Sequence, residues 1–187
     1  GIYVSNNSGV DIISSTVESN TASLDGGGIK VLNNSTIDII NSVIESNITY
    51  TDGGGLVILE NSVVSIMDSH IISNKAKDNG GAIYINSSND ETSLSIENSF
   101  IQNNQTFGWN GFQESGIAGG GFYIGSSPGE NTTVTIIKTA ISGNYSFRGS
   151  GLFAESGVIK LNSNVFFENH TTSHFNSGII ELINDLN

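Results

Sequence analysis

The sequence predicts an all-β protein, a parallel β-helix (solenoid) of about six coils of about 27 residues each. Three observations lead to this prediction: a Gly-rich motif that recurs through the chain, an Asn motif that keeps step with it, and short runs of alternating apolar and polar residues. Period-two alternation is typical of half-buried strands, and a repeat of about 20 to 50 residues is typical of solenoids and propellers. The composition agrees, because the 24 Asn, 28 Ser and 23 Gly suit turns and strands better than helices.

The first motif is a run of small residues, mostly Gly, followed by one apolar residue. Successive apolar residues stand 27, 27, 27, 39, 30 and 27 positions apart. Consecutive glycines suit a corner that requires positive φ or leaves no room for Cβ. The apolar residues, each of which we take as the start of a coil, are Ile2, Ile29, Leu56, Ile83, Phe122, Leu152 and Ile179.

The second motif is an apolar residue, two variable positions and Asn. Further apolar residues precede this anchor by five and seven positions in every copy, and a small polar residue precedes it by two. The anchors are Val17, Ile44, Ile71, Ile101, Ile141 and Phe166. The Asn residues that close the motif are Asn20, Asn47, Asn74, Asn104, Asn144 and Asn169.

A unit of this length offers about three short strands and no 3.6-residue stripe, so it fits one coil of a solenoid better than a strand-plus-helix repeat. Coils stack about 4.8 Å apart, which places equivalent residues in ladders. The apolar ladders bury surface worth about 25 cal/mol per Å² and drive folding. We expect the Asn ladder to turn inward at a bend, where stacked amides can bond to one another and to the backbone.

The two motifs together resemble a known repeat family. The pairing of GG(G/A)(I/L/F) with (V/I/F)xxN is similar to the GGA(I/L/V) and FxxN repeats of the polymorphic outer-membrane proteins, and it spans nearly all of the chain. Those proteins are autotransporter-type surface adhesins with a right-handed parallel β-helix passenger, so the resemblance implies that fold and an adhesive role. The general preference for right-handed crossovers predicts the same hand. The anchor is Phe only at Phe166, and the third small residue is Ala only at Ala82.

Composition excludes several classes of function. The formal net charge is −12, and six scattered Lys and Arg offer no cationic cluster for nucleic acid or an anionic membrane surface. No apolar run approaches the length of a membrane span, and the absence of Cys removes thiolate metal sites and Cys nucleophiles. We therefore predict no nucleic-acid partner, no membrane insertion of this segment, no cofactor and no metal.

The 39-residue coil 4 predicts a projecting loop over 105–118, and smaller insertions are expected near 86–91 and 126–131. Loops on a rigid scaffold are common binding sites. Phe107, Trp109 and Phe112 are the candidate contact residues for a sugar or a partner protein. The alternative is that the loop folds its own aromatic side chains onto the solenoid wall.

A polysaccharide lyase or hydrolase is the enzyme alternative, since many parallel β-helices have such activities. It needs clustered carboxylates for Ca²⁺ or acid–base chemistry. Asp25 and Asp52 are expected to stack one coil apart, and His170 and His174 share one turn near Glu168. The sequence predicts no group of acidic residues beside the cations Lys30, Lys138, Lys160 and Arg148. We expect no catalytic site.

Sequons for N-glycosylation are frequent. Those at Asn47, Asn104, Asn144 and Asn169 belong to the inward ladder and are expected to stay bare. The remaining candidates, expected in the turn after the first strand of their coils, are Asn6, Asn33, Asn34, Asn86 and Asn131.

The sequence thus favours one domain over 1–187 that acts as a non-enzymatic, secreted or cell-surface structural or adhesive module. Because both ends of the sequence leave a coil without an evident cap, we expect either flanking coils in a longer chain or stacking of copies. The first alternative is therefore an extracellular filament subunit assembled end to end, with or without N-glycans. The expected partners are the protein's own coils, a surface glycan or a protein receptor, outside the cell.

Overall fold

The computed structural model describes residues 1–87, 91–108, 117–126, 132–172 and 178–182. These residues form a parallel β-solenoid of about six turns, which confirms the predicted fold class. No helix in this part of the chain has the length and apolar character needed to cross a membrane.

Each full coil contributes a strand to each of four parallel sheets, which we name A to D in chain order. Within the described residues, sheet A consists of β1 (Ile2–Val4), β5 (Ile29–Val31), β9 (Leu56–Leu59), β13 (Ile83–Ser87), β17 (Phe122–Ser126), β21 (Leu152–Ala154) and β25 (Ile180–Leu182). Sheet B consists of β2 (Gly9–Ile13), β6 (Thr36–Ile40), β10 (Val63–Met67), β14 (Thr92–Glu97), β18 (Thr132–Ile137) and β22 (Val158–Asn162).

The two remaining sheets have shorter strands. Sheet C consists of β3 (Thr16–Glu18), β7 (Val43–Glu45), β11 (His70–Ile72), β15 (Phe100–Gln102), β19 (Ala140–Ser142) and β23 (Val165–Phe167). Sheet D consists of β4 (Thr21–Ala22), β8 (Ile48–Thr49), β12 (Lys75–Ala76), β16 (Gln105–Thr106), β20 (Tyr145–Ser146) and β24 (His170–Thr171). Each full coil therefore has four strands instead of the expected three. The sheet D strand was missed because two residues are too few to show an alternating pattern in the sequence.

The register of the sheets follows the sequence motifs. The anchor of the Asn motif pairs with its equivalent in the next coil throughout sheet C, as in Ile44 with Ile71 and Ile71 with Ile101. In sheet B the inward pair Ile37 and Ile39 lies beside Val64 and Ile66. These side chains are almost fully buried in one continuous core, so most of the apolar burial is between like residues of neighbouring coils.

The last coil departs from the predicted register by one residue. The motif suggests Ile179 as the partner of Leu152, but Leu152 pairs with Ile180 and Phe153 pairs with Glu181. This shift places the Glu181 carboxylate beside the Arg148 guanidinium on the outer face of sheet A. The ion pair and the register therefore agree with each other, and neither is visible in the spacing of the motif.

Single residues in the left-handed region make the bends between sheets B and C. These positions have φ of 47° to 56° and are Ser14, Asn41, Asp68, Asn98, Lys138 and Ser163. Asn and Asp tolerate this backbone better than most residues, because their short polar side chains can bond locally. The exceptions in this column are Ser14, Ser163 and Lys138, of which Lys138 has the largest side chain.

The corner between sheets D and A needs small residues for two separate reasons. Gly53 has φ of +68°, which side-chain-bearing residues rarely adopt. At Gly54, a Cβ would lie 2.6 Å from backbone atoms of Lys75 in the next coil. The repeated Gly motif therefore reflects both a left-handed turn and close backbone contact between coils.

Candidate functional site

The described ends of the coil 4 insertion lie between sheets D and A, and they are fixed to both neighbouring coils. Before the insertion, the Phe107 N–H donates to the Ala76 carbonyl in coil 3 at 3.0 Å. After it, the Ala118 N–H donates to Oδ1 of Asn79 in coil 3 at 3.0 Å, and Ala118 forms a parallel bridge with Arg148 of coil 5. The rod therefore holds both ends of the insertion in fixed positions.

Of the three aromatic residues predicted for the contact surface of this loop, one lies within the described residues. Phe107 is half-buried at the base of the insertion. Trp109 and Phe112 lie outside the described residues. The contact surface formed by all three residues stays a prediction.

Beside the insertion, sheet A carries a column of aromatic rings on its outer face. Tyr84 stacks on Tyr123 with ring centroids 5.1 Å apart and planes 4° from parallel. Tyr123 stacks on Phe153 at 5.3 Å and 17°. The guanidinium carbon of Arg148 lies 4.8 Å from the Phe153 ring centroid. Because the rings face each other along the rod, this column joins coils 4, 5 and 6 on the outside of the solenoid.

Burial and nearby carboxylates keep both phenols protonated. Burial, followed by the charge of Asp52, raises the pKa of Tyr84 to about 12, although the Nδ2 of Asn86 donates to its hydroxyl oxygen at 3.1 Å. Burial and then the charge of Glu155 raise the pKa of Tyr123 well above its ordinary value. The aromatic column is therefore neutral and acts mainly in packing.

Arg148 and Glu181 form an ion pair at one end of the column, where the guanidinium donates through Nε and Nη2 to Oε1 of Glu181. The other carboxylate oxygen, Oε2, is buried and has no hydrogen-bond partner among the described residues. A more exposed pair joins Lys138 to Glu97, with Nζ and Oε1 3.8 Å apart. Each of these two cations thus has one acidic partner, which comes from another coil, and a single partner does not contradict the prediction that no group of acidic residues lies beside them.

Lys30 also has one acidic partner, which the sequence did not predict. Its Nζ lies 2.9 Å from Oδ2 of Asp25, five residues earlier, across the Gly corner. The Thr51 hydroxyl donates to Oδ1 of Asp25 at 2.7 Å. Burial opposes ionisation of Asp25, but the Lys30 ammonium and the Thr51 hydroxyl outweigh it and lower the pKa. Asp25 is thus an ionised structural carboxylate.

Asp52 follows Asp25 one coil further on, as predicted, but its environment is different. Burial is the largest effect and, with the negative charges of Asp25 and Asp78, raises the pKa of Asp52 to about 6. The Asn79 N–H donates to Oδ1 of Asp52 at 2.8 Å and partly opposes this rise. Asn79 takes the same place in the next coil, where its Oδ1 accepts from Ala118. The column therefore supplies acceptors for backbone N–H groups.

The histidines lie apart from these carboxylates. His70 meets Phe100 edge to face on sheet C, with ring centroids 4.8 Å apart, and His170 stacks on Tyr145 on sheet D at 5.5 Å. His174 lies outside the described residues. In the described part of the chain, no three His, Asp or Glu side chains come together as metal ligands would.

The Asn ladder runs along the interior of the bend between sheets C and D. Nδ2 of Asn74 donates to Oδ1 of Asn104 at 3.0 Å and to the Ile44 carbonyl at 2.9 Å. Oδ1 of Asn74 accepts from the backbone N–H and from Nδ2 of Asn47, both at 3.0 Å. Side-chain bonds of 2.9 to 3.0 Å link all six residues, Asn20, Asn47, Asn74, Asn104, Asn144 and Asn169.

The sequons fall into two structural groups. Asn47, Asn104, Asn144 and Asn169 are buried, so their amides are not accessible to a glycan in the folded chain. Asn86 lies within β13 and not in the following turn, so its predicted position is wrong. Asn131 lies outside the described residues, and the sequons at Asn6, Asn33 and Asn34 occupy left-handed or adjacent turn positions between sheets A and B.

This arrangement could not be assigned by likeness to known proteins. Comparison with family models, with curated proteins and with solved structures gives no match to this chain. The fold itself, a parallel β-solenoid of about six turns, is therefore known from the structure alone.

Sequence reasoning missed the outer aromatic column of Tyr84, Tyr123 and Phe153. The signal was present, because each of these residues directly follows the apolar residue that starts its coil. The equivalent residues in earlier coils are Tyr3, Lys30 and Val57, so the column is aromatic only in part and is not evident as a repeat.

Proposed function

We propose that this protein is a non-enzymatic structural and adhesive module that works outside the cell, either secreted or at the cell surface. The observation that carries the proposal is the coil 4 insertion, whose ends are held by hydrogen bonds to coil 3 and by a bridge to coil 5. A rigid rod that fixes both ends of a projecting loop is suited to presenting that loop to a partner. The motif resemblance to polymorphic outer-membrane protein repeats supports the same role and membership of that group of adhesins.

The non-enzymatic part of the proposal is supported by what the candidate acids contact. Asp25 is paired with Lys30, and Asp52 accepts a backbone N–H from Asn79. Both carboxylates therefore have structural partners that account for their positions. The expected partner is a surface glycan or a protein receptor.

The test is an adhesion assay with beads that carry the chain. We expect the beads to adhere to cell or matrix surfaces, and we expect the triple variant Phe107→Ser, Trp109→Ser and Phe112→Ser to lose most of this adhesion. The matched control is the pair Tyr3→Ser and Ile13→Ser, which removes apolar side chains that are 66% and 56% exposed elsewhere on the rod. Adhesion that is equal in the triple variant and the wild type would refute the role of the loop. Release of products from a polysaccharide panel would refute the non-enzymatic assignment.

A further inference from the structure

The turn between sheets A and B changes length abruptly along the rod. Eight residues separate Leu56 from its sheet B equivalent Val64 in coil 3, but 11 separate Ile83 from Leu94 in coil 4. At this step lies a surface depression of about 410 Å³ lined by Asn61, Val63, Glu91, Thr92, Ser93 and Thr133. Its volume is within the range of about 300 to 1,000 Å³ that is typical of small-molecule sites.

The depression is lined by groups that can bond to hydroxyl groups of a ligand. Ser93 and Thr133 are paired neighbours on the outer face of sheet B, and neither hydroxyl has a protein hydrogen bond within the described residues. Nδ2 of Asn61 donates a hydrogen bond to Oδ1 of Asn34. This bond fixes the orientation of the Asn61 side chain and leaves its Oδ1 as an acceptor for a ligand. Glu91 adds one exposed carboxylate at the edge.

The polar strip continues along the strands. Ser65, Ser95 and Thr135 form a second row in register across coils 3, 4 and 5. Beyond this row lies a second depression of about 320 Å³, lined by Met67, Asp68, Glu97, Asn98 and Lys138. From Val63 to Met67 the strand covers about 13 Å, at about 3.3 Å per residue. Hydroxyl groups therefore connect two depressions on one face of the rod.

We propose that this strip, which we call the sheet B groove, binds a neutral oligosaccharide. The inference rests on the proposed adhesive function and names the ligand class for a site separate from the coil 4 loop. Half-buried or exposed hydroxyls, the two amides Asn61 and Asn98, and three carboxylates match the donors and acceptors of sugar hydroxyls. Val63 and Met67, which are 46% and 41% exposed, can contact the C–H faces of sugar rings.

The charges of the groove favour a neutral oligosaccharide over a phosphate, a uronate or Ca²⁺. The carboxylates of the groove are Glu91, Asp68 and Glu97. Its cations are Lys138, which is paired with Glu97, and Lys160, which lies one coil beyond Thr135 at the end of the hydroxyl row. This excess of negative charge does not favour a phosphate or a uronate. Glu91 is the one carboxylate in the first depression, and a single carboxylate is a poor Ca²⁺ site, which usually needs six to eight oxygen ligands. A neutral sugar needs neither a free cation nor a cluster of carboxylates.

The test is calorimetric titration of the full chain with cellohexaose, laminarihexaose, chitohexaose and mannohexaose. We expect at least one of them to bind. The double variant Ser93→Ala and Thr133→Val should weaken this binding at least tenfold, and Ser95→Tyr, which fills the middle of the groove, should abolish it. The matched control is Thr16→Ala with Thr21→Ala, which removes two exposed hydroxyls from sheets C and D and should leave the affinity unchanged. Far-UV circular dichroism melts check that all variants fold.

Three results would overturn the proposal: no binding of any of the four sugars, unchanged affinity in both groove variants, or binding only of CaCl2 or a polyuronate. The bead assay separates this inference from the proposed function. Beads that adhere while no sugar binds would refute the groove alone. Beads that fail to adhere while a sugar binds in the groove would refute the loop-based adhesion and leave the groove in place.

Discussion

Replacing Asp52 by Asn should stabilise the protein at neutral pH. Asp52 is largely buried near Asp25 and Asp78, and its pKa is raised to about 6. One of its oxygens accepts the Asn79 N–H at 2.8 Å, which an amide oxygen can do equally well. Asn79 itself shows this, because its side-chain oxygen accepts the Ala118 N–H at 3.0 Å in the next coil. The change Asp52→Asn therefore removes a charge and keeps the hydrogen bond.

The sign and size of the effect follow from linkage. The pKa of Asp in the unfolded chain is about 3.9, so the folded state holds the Asp52 proton more tightly in the window between about pH 4 and 6. The contribution of Asp52 to folding stability is complete below the pKa of the unfolded state. It decreases as the pH rises towards the folded-state pKa of about 6, and it is lost above that pH. Two pKa units correspond to about 3 kcal/mol, and solvent screening of the partly exposed carboxylate reduces this to about 1 to 2 kcal/mol.

The assay is denaturant unfolding of the wild type and of Asp52→Asn at pH 7.5 and pH 4. We expect the variant to be more stable by about 1 to 2 kcal/mol at pH 7.5 and equal to the wild type near pH 4. The control, Asp38→Asn, makes the same change at an exposed carboxylate of β6 and should alter stability little at either pH. Intact mass verifies that the introduced amide, which precedes Gly53, is retained. A gain of equal size at both pH values, or no gain at pH 7.5, would refute the reasoning.

Three further substitutions test the scaffold. Asn74→Leu should destabilise the protein by about 2 to 4 kcal/mol, because it leaves several buried polar groups of the Asn ladder without hydrogen bonds. The control Asn162→Leu, on the exposed face of β22, should not destabilise it. Equal melting temperatures of the two variants would exclude a stabilising ladder. Gly54→Ala should lower the free energy of unfolding, measured with denaturant, by about 3 kcal/mol or more, since the new Cβ would overlap backbone atoms of Lys75. The control Gly9→Ala should be tolerated, because its Cβ meets only the side-chain oxygen of Thr36, at 3.1 Å. Lys138→Asn should raise stability by about 0.5 to 1 kcal/mol, because Asn is better suited to its φ of 47°; a loss in thermal unfolding would contradict this.

Much of the interior could be predicted from the sequence, because interior positions repeat. A side chain such as Ile71 faces the same residue type in the coils above and below, so its spacing alone indicates both its burial and its partners. The same holds for Asn74, whose amide is satisfied by identical amides one coil away. Repetition converts a long-range contact into a pattern that can be read along the chain.

The outer surface could not be predicted in the same way, because its residues differ from coil to coil. Arg148 and Glu181 meet only because the last strand is shifted by one residue from the motif. The pKa of Asp52 depends on how deeply the Gly corner buries it, which composition does not show. The residues that line the sheet B groove come from three adjacent coils, so the groove can be recognised only once the strand register is known.

The stacking of whole coils also determines how the rod should respond to force. Each coil of about 27 residues adds about 4.8 Å of height to the rod, yet it stores roughly 90 Å of extended chain at about 3.4 Å per residue. A pull along the axis would separate the outermost coil first, since the strands of each coil in the described part of the chain pair only with those of the adjacent coils. The 39-residue coil 4 would release roughly 130 Å on the same scale. The solenoid is therefore short and stiff under low load and extensible in steps under high load.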